Sequence, residues 1–199
     1  GAAEPNASLA VDEHGQRLWV ALPAAGRVAP LDLPSRAATW RFAAAPGVLA
    51  VHRVDTPQGT AVLSTHADGR LVRWRATVAT DHPEREREWA LPHAARGLAY
   101  SALGQRLVAH DGPAVLVVDL GGSEVRRLTL GHPVGDLALA DEGRYAIAAG
   151  GDRMSMVDLA SGKVQARSAT VPDARQVVLT SRFAYAIGAD ESAATLWAL

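Results

Sequence analysis

The tetrapeptide Gly-Gln-Arg-Leu occurs at residues 15–18 and again at residues 104–107. Each copy lies at the same place in a longer pattern, Leu-Ala-x-x-x-x-Gly-x-x-x-apolar, which returns with variations about every 40 residues along the chain. Self-similarity at this period is typical of folds that stack one supersecondary unit after another. The repeat therefore constrains the fold more than any single residue does.

Five copies of the pattern can be superimposed. Their first apolar positions are Leu9, Leu49, Leu98, Leu137 and Val177. A second apolar landmark follows in each copy, at Leu31, Trp74, Val118, Val157 and Trp197. Within a copy, short apolar runs alternate with clusters of Gly, Asp and Ser that favour tight turns. Each copy is therefore predicted to hold about four short antiparallel strands.

Four strands in about 40 to 45 residues are typical of one blade of a β-propeller. We predict an all-β fold, a β-propeller of four-stranded antiparallel blades with about five repeats in this chain, forming either a five-bladed ring or part of a larger propeller. Residues 1–199 are expected to form a single domain. The approximate blades are 8–42, 47–91, 96–130, 135–171 and 175–199.

The last predicted blade stops after its third strand and lacks its outer strand. Residues 1–7 are one source for that strand, although Pro5 lacks the N–H that a ladder needs. Further blades, or a strand from a partner, are the other source. Residues 1–7 also fit a mature end after signal cleavage, an expression remnant or an internal cut, and the first of these favours a periplasmic or secreted location over a cytoplasmic one.

Several motifs resemble the blades of WD40-like and YVTN-like propellers. Gly131-His132 resembles the Gly-His pair of a WD40 blade, and Val157-Asp158 stands where Trp-Asp usually stands. Pro92-His93 occupies the matching site one copy earlier, and residues 68–74 resemble a turn and third strand. The second copy has the turn aspartate and the tryptophan but not the Gly-His histidine. The resemblance implies a scaffold, a periplasmic propeller, or a subunit of a haem- or quinone-associated dehydrogenase.

The composition excludes several classes of function. Hydrophobic residues make up 48% of the chain, the net charge is −1, and no apolar run approaches the length of a membrane span. A nucleic-acid binder usually shows a net basic face, so nucleic acid is not an expected partner. The chain has no cysteine, which excludes thiolate metal sites and covalent haem attachment through Cys-x-x-Cys-His.

Three arginines occupy the same position in their copies, four residues before the second landmark: Arg27, Arg70 and Arg153. By the WD40 resemblance, this position follows the turn between the second and third strands, on the face where partners often dock. Such arginines could bind a carboxylate, a phosphate or an acidic peptide. The alternative is a solvated repeat position, because Ala114 and Ala193 interrupt the series.

Two of the seven histidines, His93 and His132, lie at matched positions. The resemblance implies a structural role for them, bonded to a turn aspartate such as Asp111 or Asp152. Metal binding is the alternative, but no pair of histidines has the His-x-x-x-His spacing of a metal site.

Residues 81–89 alternate in charge and make the second copy the longest. This alternation suits a solvated outer strand with Trp89 turned inward. A protruding interaction loop at residues 76–85, where the extra length lies, is the alternative.

No nucleophile elbow, phosphate-binding loop or dinucleotide fingerprint is present in the sequence. We therefore predict no catalytic residues, no metal site and no cofactor. The expected function is a non-catalytic interaction or scaffold module that binds a protein or peptide partner through its loop face. The alternative is a propeller subunit of a periplasmic redox enzyme, of the haem d1 type or associated with a quinone-dependent dehydrogenase.

Overall fold

The computed structural model describes residues 8–11, 17–33, 43–56, 59–76, 83–140, 142–168, 173–180, 183–188 and 194–198. In this part of the chain, nineteen strands form five antiparallel sheets, and the one helix is a short 3-10 turn at Pro23–Ala25. The chain divides into two compact units, residues 1–94 and 95–199.

Two four-stranded sheets make up the first unit. The first sheet contains β1 (Ser8–Val11), β2 (Arg17–Leu22), β3 (Arg27–Asp32) and β4 (Ala43–Ala44). The second sheet contains β5 (Val48–Thr56), β6 (Gly59–His66), β7 (Arg70–Ala76) and β8 (Pro83–Ala90). Within each sheet every strand pairs with the next one along the chain, so β8 lies at one edge of the second sheet.

The core of the first unit comes from alternate residues of its strands, because successive side chains of a strand point to opposite faces. Val28, Val51, Val62 and Trp74 are almost fully buried there. Each aliphatic side chain of this size contributes about 1.5 to 3 kcal/mol when it leaves water. A polar contact also joins the first strands of the two sheets, since Ser8 Oγ donates to Val51 O at 3.2 Å and accepts from Val51 N at 3.1 Å.

The second unit contains the other three sheets. The third sheet contains β9 (Arg96–Ser101), β10 (Arg106–Asp111), β11 (Ala114–Asp119) and β12 (Val125–Thr129). The fourth contains β13 (Asp136–Leu139), β14 (Tyr145–Gly150), β15 (Arg153–Asp158) and β16 (Val164–Ser168). The fifth has three described strands, β17 (Ala174–Leu179), β18 (Phe183–Gly188) and β19 (Ala194–Ala198).

The fourth sheet is packed on both faces. Along β14, Ala146 and Ala148 belong to a core shared with the third sheet. The alternate residues Ile147 and Ala149 belong to a second core, shared with the fifth sheet. Small alanine side chains let neighbouring sheets approach closely on each side. Sheets stacked face to face in chain order are the arrangement of propeller blades.

The repeated tetrapeptide of the sequence joins the third sheet to the fourth. It begins in the turn between β9 and β10, where a Cβ added to Gly104 would lie 2.6 Å from Glu142 O and 2.7 Å from Gly143 Cα. Arg106 Nη1 donates to Gly143 O at 3.0 Å. Glycine is therefore required by the close approach of two turns, and the arginine fastens them together. In the earlier copy, residues 15 and 16 lie outside the described residues.

The predicted all-β fold with four-stranded antiparallel blades is confirmed by these sheets. The first seven residues, considered above as a closing strand, lie outside the described residues. In the part of the chain that the structure describes, no helix has the length and apolar character to cross a membrane. That residues 1–199 form a single domain, divided into blades at the bounds given above, stays a prediction.

Candidate functional site

The three arginines singled out in the sequence each open the third strand of a sheet. Arg27 begins β3, Arg70 begins β7 and Arg153 begins β15. Arg27 and Arg153 are exposed, whereas Arg70 is partly buried. Arg27 and Arg70 belong to the first unit and Arg153 to the second.

Arg70 is held by two neighbours. Its Nε donates to Asp68 Oδ2 at 2.7 Å, and its backbone N–H donates to Asp68 Oδ1 at 3.2 Å. Its Nη2 donates to Pro46 O at 2.9 Å. The hydrogen bonds from Arg70 hold the pKa of the Asp68 carboxyl below its ordinary value. Arg70 therefore fixes the turn between β6 and β7, and its charge is already paired.

The loop 45–47 brings Arg27 and Arg70 to one place in the first unit. Ala45 N–H donates to Gly26 O at 2.8 Å, and a Cβ on Gly26 would lie 3.5 Å from Pro46 Cα. Arg27 follows Gly26 directly, and Arg70 reaches the same loop through Pro46 O. The two turns that carry these arginines therefore both contact the loop between the first and second sheets.

A buried polar network lies beneath this loop. Trp74 Nε1–H donates to Ser64 Oγ at 2.7 Å, and Ser64 Oγ lies 2.8 Å from His66 Nε2. His66 Nδ1 lies 3.0 Å from Pro46 O. A carbonyl oxygen only accepts, so Nδ1 carries the hydrogen in the neutral ring. Nε2 is then bare, and the Ser64 hydroxyl donates to it.

The Ser64–His66 pair has the separation of a nucleophile and its base, but burial gives it another role. Both residues are fully buried, so a substrate cannot reach Ser64 Oγ. Burial is the main cause that lowers the pKa of His66, and the Arg70 charge adds to it, whereas the bond to Pro46 acts in the opposite direction. The imidazole is therefore neutral at pH 7, and the network holds the end of the second sheet together.

The fourth sheet makes the same bonds with a histidine from another place in the chain. His132 Nε2 lies 2.7 Å from Ser155 Oγ, and His132 Nδ1 lies 2.7 Å from Pro133 O. His132 and Ser155 are both buried. The structural role that the resemblance implied for His132 fits this geometry, but the expected turn aspartate, Asp152, is not its partner. Ser155 is the partner instead.

Gly150 explains why the fourth sheet takes its histidine from a different position in the repeat. Gly150 ends β14 as His66 ends β6, but a Cβ on Gly150 would collide with Pro133 O. A side chain cannot stand there, so the imidazole comes from the loop before β13. The serine also occupies a different strand in the two sheets. Ser64 lies on β6, the second strand of its sheet, and pairs with Val72 on the third. Ser155 lies on β15, which is itself the third strand of its sheet.

Sequence reasoning missed His66, because it looked for the histidine at the Gly-His position. A usable signal was present. Ser64 and His66 are two apart on one strand, so they share a face, and Trp74 follows ten residues after Ser64. The other expected histidine, His93, is exposed and does not repeat the burial of His132.

A third buried histidine lies in the second unit. His110 Nδ1 is buried and has no hydrogen-bond partner among the residues that the structure describes, and burial lowers the pKa of the ring. A Cβ on the neighbouring Gly97 would lie 2.9 Å from His110 Cδ2. The carboxylate of Asp136, which raises the His110 pKa, also accepts from Val177 N at 2.8 Å. Among the described residues, no group of His, Asp and Glu side chains is arranged to hold a metal ion.

The charged segment of the second copy forms β8. Its residues 84–88 are all exposed, and Trp89 is buried, as predicted for a solvated outer strand with the tryptophan turned inward. Arg73 Nε lies 2.8 Å from Glu86 Oε2, and the Arg85 guanidinium lies 5.6 Å from the centre of the Trp74 ring. Of the predicted interaction loop at residues 76–85, positions 77–82 lie outside the described residues.

No protein-family model and no curated protein matches this chain. Solved structures do resemble it. Hydrazine synthase from Kuenenia stuttgartiensis superposes with a TM-score of 0.66 at 17% identity, over 94% of this chain and 56% of that one. The fold is a β-propeller. A chain of a mitotic checkpoint complex superposes with a TM-score of 0.62 at 16% identity, over 86% of this propeller and 53% of that chain.

The propeller described here thus spans about half the length of each of these two chains. At this level of identity the likeness establishes the fold alone, because one fold carries many unrelated functions.

Proposed function

We propose that this chain is a non-catalytic interaction module that binds a protein or peptide partner through the turns before the third strands of its sheets, where Arg27, Arg70 and Arg153 lie. The observation that carries the proposal is the exposure of Arg27 and Arg153 at the turn ends of their strands. The Ser–His pairs that could suggest hydrolysis are buried. A substrate therefore cannot reach those pairs, whereas the side chains of Arg27 and Arg153 lie at the surface.

The arginines indicate an acidic partner segment. Guanidinium groups bind carboxylates through paired hydrogen bonds, which add geometric selectivity to charge attraction. Arg70 has a different role, because its bonds to Asp68 and Pro46 hold its turn in place. Arg27 and Arg153 would contact the partner directly. One of the similar structures comes from a multiprotein complex, which is consistent with a partner-binding role for the fold.

The test is charge reversal at the two exposed arginines. Arg27→Glu together with Arg153→Glu should reduce capture of the native partner by at least about tenfold, which corresponds to about 1.4 kcal/mol. Arg75→Glu is the matched control, because Arg75 is an exposed arginine at the opposite end of β7 from Arg70. If the double variant captures the same partner as strongly as the control does, Arg27 and Arg153 do not bind the partner.

An absorbance spectrum of the protein purified from its native source addresses the redox-subunit alternative. A scaffold has no visible band, whereas a subunit that holds haem or a quinone-derived group absorbs visible light. A band that copurifies with the chain would replace the proposal made here.

A further inference from the structure

Pro46 O is the meeting point of two side chains in the first unit. It accepts from His66 Nδ1–H at 3.0 Å and from Arg70 Nη2 at 2.9 Å. A carbonyl oxygen has two lone pairs, so both are used. The loop 45–47 is thus tied from below by a buried imidazole and from outside by a paired guanidinium.

Only the neutral form of His66 satisfies every polar atom of this network. In that form Nδ1–H donates to Pro46 O, and Ser64 Oγ–H donates to Nε2 while Ser64 Oγ accepts from Trp74. Protonation leaves the Nδ1–H bond to Pro46 O in place, and this bond favours the charged ring. The conflict arises at the other nitrogen, because protonation places a second hydrogen on Nε2, which faces the Ser64 hydroxyl. That hydroxyl must then turn its own hydrogen into a fully buried region, where an unpaired donor is costly.

The charges around His66 also oppose protonation. Arg70 on the adjoining turn and Arg85 on β8 both repel an imidazolium, and the exposed Asp68 attracts it. The loop 45–47 and the start of β5 contribute the uncharged residues Ala45, Pro46 and Val48. Two cations therefore act against one carboxylate, which is itself paired with Arg70.

The loop is the part that can give way. Among the described residues, two backbone hydrogen bonds join the loop to neighbouring turns: Ala45 N–H donates to Gly26 O at 2.8 Å, and Ala67 N–H donates to Gly47 O at 2.8 Å. A third, from Val48 N–H to Ala45 O at 3.1 Å, lies within the connection itself. Pro46 and Gly47 are exposed, so water can replace these partners once the imidazole no longer fits. The strands beneath keep their ladders.

We propose that His66 is an acid-sensitive latch, which holds the loop 45–47 onto the turn between β6 and β7 when neutral and releases it when protonated. The latch goes beyond partner binding and does not depend on it. Its consequence is local, because the strands of the second sheet stay paired while the loop opens.

The experiment is an NMR titration of the whole chain from pH 8 to pH 5. The nitrogen shifts of His66 should report the Nδ1–H tautomer above pH 7. On acidification, the indole N–H of Trp74 should shift and the amide of Ala67 should lose hydrogen-exchange protection severalfold, both with the midpoint of His66. The amide of Val72, within β7, should keep its protection.

Two variants decide the outcome. His66→Asn keeps a donor for Pro46 O but cannot titrate, so the pH-dependent loss of protection at Ala67 should disappear. Arg70→Gln removes a repelling charge and should move the midpoint to higher pH, a readout that remains if the asparagine variant fails to fold. An Nε2–H tautomer of His66, or a midpoint unchanged in Arg70→Gln, would overturn the proposal.

Discussion

At the scale of single residues, the hydrogen bonds of buried side chains explain more of this chain than its motifs do. The same pair of bonds, imidazole to serine and imidazole to a proline carbonyl, occurs at His66 and at His132. The two histidines occupy different positions in the repeat. A search for the histidine at a fixed position finds His132 and misses His66. The imidazole occupies the same kind of buried space at the end of each sheet, and histidines from different positions in the repeat can reach that space.

The first prediction compares the two serines. Ser64→Ala removes the acceptor of the Trp74 Nε1–H and the donor to His66 Nε2, so two buried nitrogen atoms lose their partner. Ser155→Ala removes the partner of His132 alone. At about 1 to 3 kcal/mol for each unpaired buried group, Ser64→Ala should lower the free energy of unfolding by about 2 to 6 kcal/mol and Ser155→Ala by about half as much. Urea denaturation measures both, and equal losses would contradict the accounting.

At the scale of strands and turns, the sequence predicted most of what the structure shows. Apolar runs bounded by Gly, Asp and Ser became strands bounded by turns, as at β13 to β16. The β4 pair Ala43–Ala44 carries no such pattern, because a two-residue strand is defined by its partner β3 and not by its own residues. The need for glycine at position 104 could not be predicted from the sequence either, since its close contact is with a turn about 40 residues away along the chain.

The second prediction concerns that turn. Gly104→Ala places a methyl group 2.6 Å from Glu142 O, which is backbone and cannot move away alone. We expect a loss of about 1 to 3 kcal/mol in the free energy of unfolding, measured by thermal or urea denaturation.

Gly121→Ala is the matched control, because its nearest contact is 3.2 Å away at the end of the flexible Gln105 side chain. The control should lose clearly less stability. A control as damaging as Gly104→Ala would show that crowding by backbone is not the cause.

The third prediction concerns β8, an edge strand of the second sheet. An exposed strand edge invites pairing with another chain, and charged side chains discourage it. Replacing Glu84, Glu86 and Glu88 of β8 with valine should increase self-association, measured by light scattering at several protein concentrations. The same three positions changed to glutamine keep polar side chains and serve as the control. Valine variants that associate no more than the parent chain would show that these charges do not protect the edge.

At the scale of the whole molecule, the repeat period led to the propeller, while the binding partner stays a proposal. A period of about 40 residues reports the architecture, because each blade must bury its faces against its neighbours. It carries no information about ligands, since the turns that face a partner are the positions that packing constrains least. Arg70 illustrates this limit: its position in the repeat suggested a free cation, and its bonds to Asp68 show a structural one.

The fourth prediction is the pH dependence of stability. Burial lowers the pKa of His52, His66 and His110 in the folded protein. The unfolded chain therefore binds protons first on acidification, and their contribution to stability is full above about pH 6.5 and is lost as the pH falls through the lower folded values.

Urea midpoints between pH 8 and pH 5 should consequently fall with pH. The carboxyls of Asp68 and Asp158, whose pKa values are also lowered, add losses only under more acidic conditions. A midpoint that rises toward pH 5 would contradict the assignment of neutral, buried imidazoles.

The contact of Gly104 with the turn at Gly143 has a consequence for how the second unit comes apart. Two sheets fastened through their turns, and sharing a core between them, cannot lose order one at a time without stripping the partner of its contacts. Their unfolding should be cooperative, as in a linear array where neighbouring repeats stabilise each other more than either does alone. By the same reasoning the fifth sheet should unfold with them, because it shares a second core with the fourth.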